Sequence, residues 1–216
     1  MRDQSRSKVI RDSIGVGVAT GAYGLSFGAL GTAAGLSVAQ TCVLSLLAFT
    51  GASQFAYVGS AANPLAASAS ALLLNVRNTF YSLRTRPIVR PRGAATLLAA
   101  HWTIDETTAM STGQQRDDLA ALAFWATGAS VYLFWNLATF LGAAGATQLG
   151  SPQKLGLDAA EPAAFLALLA PRLRERRLLR VAAVAALLAL ATIPITPTGV
   201  PILIAGAVAV VAGARE

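Results

Sequence analysis

The chain has 216 residues, of which 55% are hydrophobic and only 12% charged, with a mean hydropathy of +0.57. A soluble domain carries about 25% charged residues, so this composition excludes a water-facing surface over most of the protein. The formal net charge of +7 sits in clusters between apolar runs, a pattern that sets membrane orientation and attracts anionic lipid rather than nucleic acid.

The N-terminus holds Arg2, Arg6, Lys8 and Arg11. Ile14 to Gly35 then runs without a charge and would make a helix about 33 Å long, enough to span. Residues 1–12 are read as a cytoplasmic tail and 13–214 as a single transmembrane domain. No cleavable signal peptide is expected, because the first apolar stretch is too long for one and lacks a cleavage site. Gly17, Gly21, Gly24, Gly28, Gly31 and Gly35 alternate steps of four and three, which places them on one helical face. Such a face lets a second helix approach closely in a bilayer.

Val38 to Ala61 is apolar but interrupted by Phe49-Thr50-Gly51-Ala52-Ser53-Gln54-Phe55. This predicts a broken helix or a re-entrant hairpin, since backbone released from helical bonding survives at membrane depth only inside protein or beside a cavity. Cys42 lies in this run, is the only cysteine, and excludes an internal disulfide. Asn63-Pro64 is a turn signal. Leu65 to Leu83 is a third apolar run, ending in Asn75-Val76-Arg77-Asn78, and the basic block Arg84, Arg86, Arg90 and Arg92 follows.

Ala94 to Met110 turns polar at His101-Trp102-Thr103-Ile104-Asp105-Glu106-Thr107, giving a second interrupted segment. Leu119 to Ala146 is a long span. Ser151 to Leu157 reads as a loop and Ala159 to Ala170 as a short apolar run, with Asp158 and Glu161 as a helix start. Arg172, Arg174, Arg176, Arg177 and Arg180 form the densest basic block, read as topology and lipid contact. Leu178 to Ile195 and Pro201 to Ala212 are the last spans.

Lys and Arg beside spans stay cytoplasmic. The three basic regions share one side only if both interrupted segments fail to cross. The expected fold is therefore an all-α, polytopic membrane bundle with about six full spans, two broken or re-entrant segments, and both termini cytoplasmic. Residues 63 and 151 then fall on the opposite face.

Four segments resemble a known family. Leu47 to Phe55 (LAFTGASQF), Leu73 to Tyr81 (LLNVRNTFY), Asp105-Glu106-Thr107 (DET) and Leu155 to Pro171 (LGLDAAEPAAFLALLAP) are similar, in order and spacing, to the AzlC family. That family supplies the large subunit of bacterial branched-chain amino acid exporters, and the resemblance runs from about Ile10 to Val211. The chain departs from a common family form, which has His, at Asn78. The resemblance implies a small AzlD-type membrane subunit as partner and valine, leucine, isoleucine or methionine as substrate.

An amino-acid site needs partners for a carboxylate, partners for an ammonium, and apolar surface. Arg77 is the carboxylate candidate, because guanidinium grips carboxylate through paired hydrogen bonds. Its other reading is a side chain snorkelling to the interface near the end of its span. Asp105 and Glu106 are the candidate anions, to hold an ammonium, pair with Arg77 or carry a coupling proton. His101, four residues before Asp105, is placed on the same helix face as a proton relay or as a simple interfacial histidine. Thr50, Gly51, Ser53 and Gln54 line the first interruption, and Asn75 and Asn78 serve as ligands or as interhelical glue. The chain lacks the Gly-rich phosphate loop of an ATPase and the ligand density of a metal site, so no cofactor or metal is expected. A membrane enzyme and a non-transporting scaffold or channel subunit are the competing readings.

Overall fold

The computed structural model of the chain describes residues 5–149, 166, 169–170, 172–197 and 200–213. Among these the secondary structure is helical throughout. The 151–157 loop, the 155–165 part of the fourth motif, and the helix start at Asp158 and Glu161 lie outside the described residues.

Helix α1 spans Arg6–Ala33. Ser5 caps its start by accepting from the Lys8 backbone N–H. Its end is a two-bond left-handed cap: Leu36 N–H donates to Gly31 O and Gly35 N–H to Thr32 O, both at 3.1 Å. Gly35, at φ +92°, supplies the turn that a side chain would strain. It has left the helix and faces open space, so it does not extend the glycine face as its spacing suggests.

The other five glycines do face partners. α7, Asp117–Leu149, lies along α1, and a β-carbon added at Gly21 would sit 2.9 Å from Phe134 Cβ. One at Gly24 would sit 2.7 Å from Trp135 O. α7 answers with its own small residues, since a β-carbon at Gly142 would run into Leu25 O. Gly31 faces Thr41 rather than α7. Lipid tails are as apolar as leucine, so close backbone approach and interhelical hydrogen bonds hold such a pair together. Thr127 Oγ1 donates to Ser13 Oγ at 3.0 Å across this seam.

Both interrupted segments are broken in the structure. The first forms α2, Val38–Leu47, and α3, Gly51–Gly59, separated at Ala48–Thr50. The second forms α5, Ala94–His101, and α6, Asp105–Thr112, separated at Trp102–Ile104. Each half has eight to ten residues, or about 12–15 Å, too short to cross a hydrocarbon core of about 30 Å alone.

Between them runs α4, Pro64–Val89. Asn63 caps it and Pro64 occupies its first turn, where the missing N–H costs nothing. The helix continues past Leu83 through Arg84 and Arg86, so Arg77 lies at its middle and not near its end. Pro87 and the left-handed Arg90 then end the helix.

After a 3-10 turn at Arg172–Arg174 come α8, Arg176–Thr192, and α9, Val200–Gly213, which pack on each other, with α9 also against α4. Among the described residues, three helical stretches are long and apolar enough to cross a membrane: Arg6–Ala33, Asp117–Ala146 and Arg176–Ile195. Shorter apolar helices accompany them, among them α2 and α9. α4 has the length but not the apolarity. Leu47, Leu65, Leu97 and Ile195 are each at least 74% exposed, a surface suited to lipid and costly in water.

The buried core gathers around the two breaks. Phe27 of α1, Phe49 in the first break, Phe55 of α3, Ile104 in the second break, and Trp135 of α7 form one cluster. Phe27 stacks on Trp135 at 6.1 Å and meets Phe55 edge-on at 5.6 Å.

Candidate functional site

Breaking a helix strands carbonyls at one end and N–H groups at the next, and in hydrocarbon each must find a partner. At the first break Gln54 supplies it. Its Nε2 donates to Ala48 O at 2.8 Å and Ser45 O at 3.2 Å, and its Oε1 accepts from Trp135 Nε1 at 2.9 Å. Gln54 is 1% exposed, and its amide is engaged at both ends. Thr50 and Ser53 hydroxyls bond to each other, and Thr50 Oγ1 donates to Asn75 Oδ1 of α4 at 2.6 Å. Gly51 lets the chain pass the Trp135 ring, which a β-carbon there would meet at 3.1 Å.

The second break uses the same device with a different side chain. Thr107, fully buried in the first turn of α6, donates to Trp102 O at 2.7 Å and accepts from Ile104 N–H at 3.0 Å. Thr103 Oγ1 donates to Ala99 O at 2.7 Å. In each case the second half-helix reaches back to the last carbonyl of the first. Gln54→Leu is expected to lower stability by about 3 kcal/mol, because three buried polar groups lose their partner and each costs roughly 1–3 kcal/mol. The thermal midpoint in detergent measures this, and an unchanged midpoint would show that water or backbone replaces the amide.

The second break opens α6 with Asp105 and Glu106, and the helix N-terminus favours acids there. Asp105 Oδ2 accepts from Arg77 at 2.7 Å, and Asp105 Oδ1 accepts from Tyr81 Oη at 2.7 Å. Arg77 and Tyr81 are four residues apart on α4, so they stand one turn apart on one face and grip both carboxylate oxygens. The pair is half-buried, at 29% and 32% side-chain exposure. Glu106 makes no ion pair among the described residues.

Not every polar atom is spent. Arg77 Nε and Asn78 Oδ1 on α4 and Thr108 Oγ1 on α6 are buried without a hydrogen-bond partner among the described residues, as are Ser60 Oγ after α3 and Ser130 Oγ and Asn136 Oδ1 on α7. Of the three on α4 and α6, Arg77 Nε is a charged donor, Asn78 Oδ1 a neutral acceptor, and Thr108 Oγ1 both. Orphaned groups of this kind are rare in folded proteins and mark a missing ligand or water.

The structure thus sorts the predicted residues. Arg77 and Asp105 meet, with Glu106 beside them. Gln54, Ser53 and Gly51 close the first break, and Asn75 ties that break to α4. His101 does not share a face with Asp105, because the helix ends between them. Its ring lies 5.7 Å from those of Phe49 and Tyr132, as part of an aromatic cluster. Tyr81, Thr107 and Trp135 also form the site, without a role assigned from sequence. Tyr81 has a signal in its i+4 spacing from Arg77. Trp135 has none, since its bond to Gln54 joins residues 81 apart.

A helical membrane protein with two interrupted helices, flanking a third that carries a half-buried arginine–carboxylate pair, falls in the class of transport proteins. Such breaks and intramembrane charges are where those proteins hold solutes and coupling ions. The chain belongs to the AzlC family: the family model described as AzlC protein matches residues 15–149. That is a transport-related family rather than an enzymatic one, associated with branched-chain amino acids. No curated protein and no solved structure matches the chain.

Proposed function

We propose that this chain is the large subunit of a two-component secondary exporter. It moves branched-chain amino acids, namely valine, leucine and isoleucine, and also methionine, out through the cytoplasmic membrane. A small AzlD-type membrane protein completes it, and a proton or other ion gradient drives it. Family membership supports the substrate class. The observation that carries the reading is the Arg77–Asp105 pair with its unspent neighbours.

A zwitterion carries the same two charges that this pair already matches. Its carboxylate can take Arg77, whose Nε is vacant, and its ammonium can take Asp105 and Asn78 Oδ1. Binding then exchanges one ion pair for two, so the charges of the solute stay compensated out of water. Tyr81 keeps its hold on Asp105 while Arg77 turns to the solute. Glu106, beside Asp105 and unpaired, is the group for a coupling proton.

The topology that suits this is six crossings with both termini cytoplasmic and the broken segments dipping toward the site. Asn63→Cys should then react with an impermeant maleimide from outside. Labelling only from the cytoplasmic side would refute that arrangement.

Transport is tested by expressing the chain with its small partner in cells loaded with labelled valine or leucine. Efflux should rise several-fold and collapse with a protonophore or with removal of the coupling ion. Unchanged efflux, with both proteins verified in the membrane, rejects the reading.

A further inference from the structure

The turn between α4 and α5 builds a second site, away from the charge pair. Two cavities adjoin there and share Arg86 and Pro91. The outer one, about 510 Å³, is walled by Arg86, Arg90 and Arg92. The inner one, about 260 Å³, lies between α4, α5 and α7 and reaches Phe124.

Their chemistries differ. Arg86 and Arg92 have no carboxylate within ion-pair distance among the described residues, and Arg90 meets only Asp117, at 3.7 Å with both side chains more than 70% exposed. The outer cavity is therefore strongly cationic. The inner one is apolar in effect despite its threonines. Thr85 Oγ1 donates to Tyr81 O at 2.9 Å and Thr103 Oγ1 to Ala99 O at 2.7 Å. Their hydrogens are spent on their own helices, so methyl groups, Val89, Ala99 and Ala100 make most of the wall, with Ser82, Thr96 and Arg86 as its polar members and the buried Phe124 closing its floor. The geometry of the turn holds the arginines together: Arg90 at φ +46° and Gly93 at φ +57° fold the chain back within four residues.

A cationic mouth opening into a mostly apolar chamber matches an amphiphile with an anionic head. A free anion would use the arginines and leave the chamber empty. We propose that this site holds an anionic phospholipid, with its phosphate on Arg86 and Arg92 and the start of an acyl chain between α4 and α5. Basic pockets between membrane helices take such headgroups. The chamber wall includes Thr85, one turn beyond Tyr81, so the lipid braces the stretch of α4 that carries the Asp105 partners.

The test uses the full-length chain in mild detergent. Phosphatidylglycerol, phosphatidylcholine and inorganic phosphate are titrated against the thermal midpoint, and bound lipid is counted by native mass spectrometry. Phosphatidylglycerol alone should raise the midpoint and survive as a bound adduct. Arg86→Gln with Arg92→Gln should weaken that response about tenfold or more, and Thr96→Leu, at an exposed position of α5 lining the chamber, should weaken it with the arginines intact. Equal stabilisation by phosphatidylcholine overturns the charge requirement. A full shift with inorganic phosphate overturns the lipid, and an unaffected Thr96→Leu variant overturns the acyl chamber. The wild-type comparison stands even if a variant folds poorly, and none of these readouts depends on transport.

Discussion

Arg77→Gln is expected to abolish amino-acid efflux, by a hundredfold or more, in protein that still folds and reaches the membrane. Arg77 pairs with Asp105 and has an unpartnered Nε, which the proposed site turns to the solute, and glutamine supplies neither the charge nor that donor. The stability loss stays moderate, about 1–3 kcal/mol, because both side chains are roughly 30% exposed and Tyr81 still holds Asp105. Arg77→Lys separates the two contributions. It keeps the charge but loses the planar fork, so efflux should fall about ten- to a hundredfold while folding is preserved. Exchanging the partners, Arg77→Asp with Asp105→Arg, decides between a site and a strut. A pair that only braces the fold regains function when swapped. A pair that orients a zwitterion does not, because the solute would meet each charge at the wrong end. Efflux restored by the swap would remove the binding role assigned here.

Gly28→Val is expected to destroy the fold. A β-carbon at Gly28 would run into Thr139 O and lie 2.7 Å from Ala143 N and 2.9 Å from Thr139 C. These are backbone atoms, which cannot rotate aside. α1 and α7 must separate, and the interface that the neighbouring glycines permit opens along several turns. Such a change belongs with the losses above about 4 kcal/mol, which few single substitutions reach. Almost no monodisperse protein should be recovered in detergent. Gly15→Ala is the control on the same helix. It meets nothing within 4 Å and should leave the yield unchanged, with a slight gain from helix propensity. Normal recovery of Gly28→Val would mean that α1 and α7 do not pack as described.

Much of this molecule is legible along the chain. The glycine register predicts the α1 face that meets α7; four of its six members face α7, and Gly31 faces Thr41 of α2. The polar interruptions at residues 49–55 and 101–107 predict two broken helices, and both are broken. Arg77 and Asp105 stand out as charges in apolar surroundings, and they meet. Where the reading falls short, it extends a local rule past a boundary it cannot see. His101 and Asp105 have helical spacing but lie on different helices. Gly35 has the register but ends the helix. Gln54 reads as a ligand, and the bonds that its amide makes at the first break could not be read from its neighbours in the chain.

Hydropathy, periodicity and the penalty for unpaired backbone in lipid are properties of a few adjacent residues, and they settled by themselves that this chain is helical, membrane-embedded and twice interrupted. Pairing was decided only in three dimensions. Trp135 reaches Gln54 across 81 residues and Thr127 reaches Ser13 across 114. A hydrogen bond forms where helix packing brings two atoms within about 3 Å, and sequence separation carries no record of that distance.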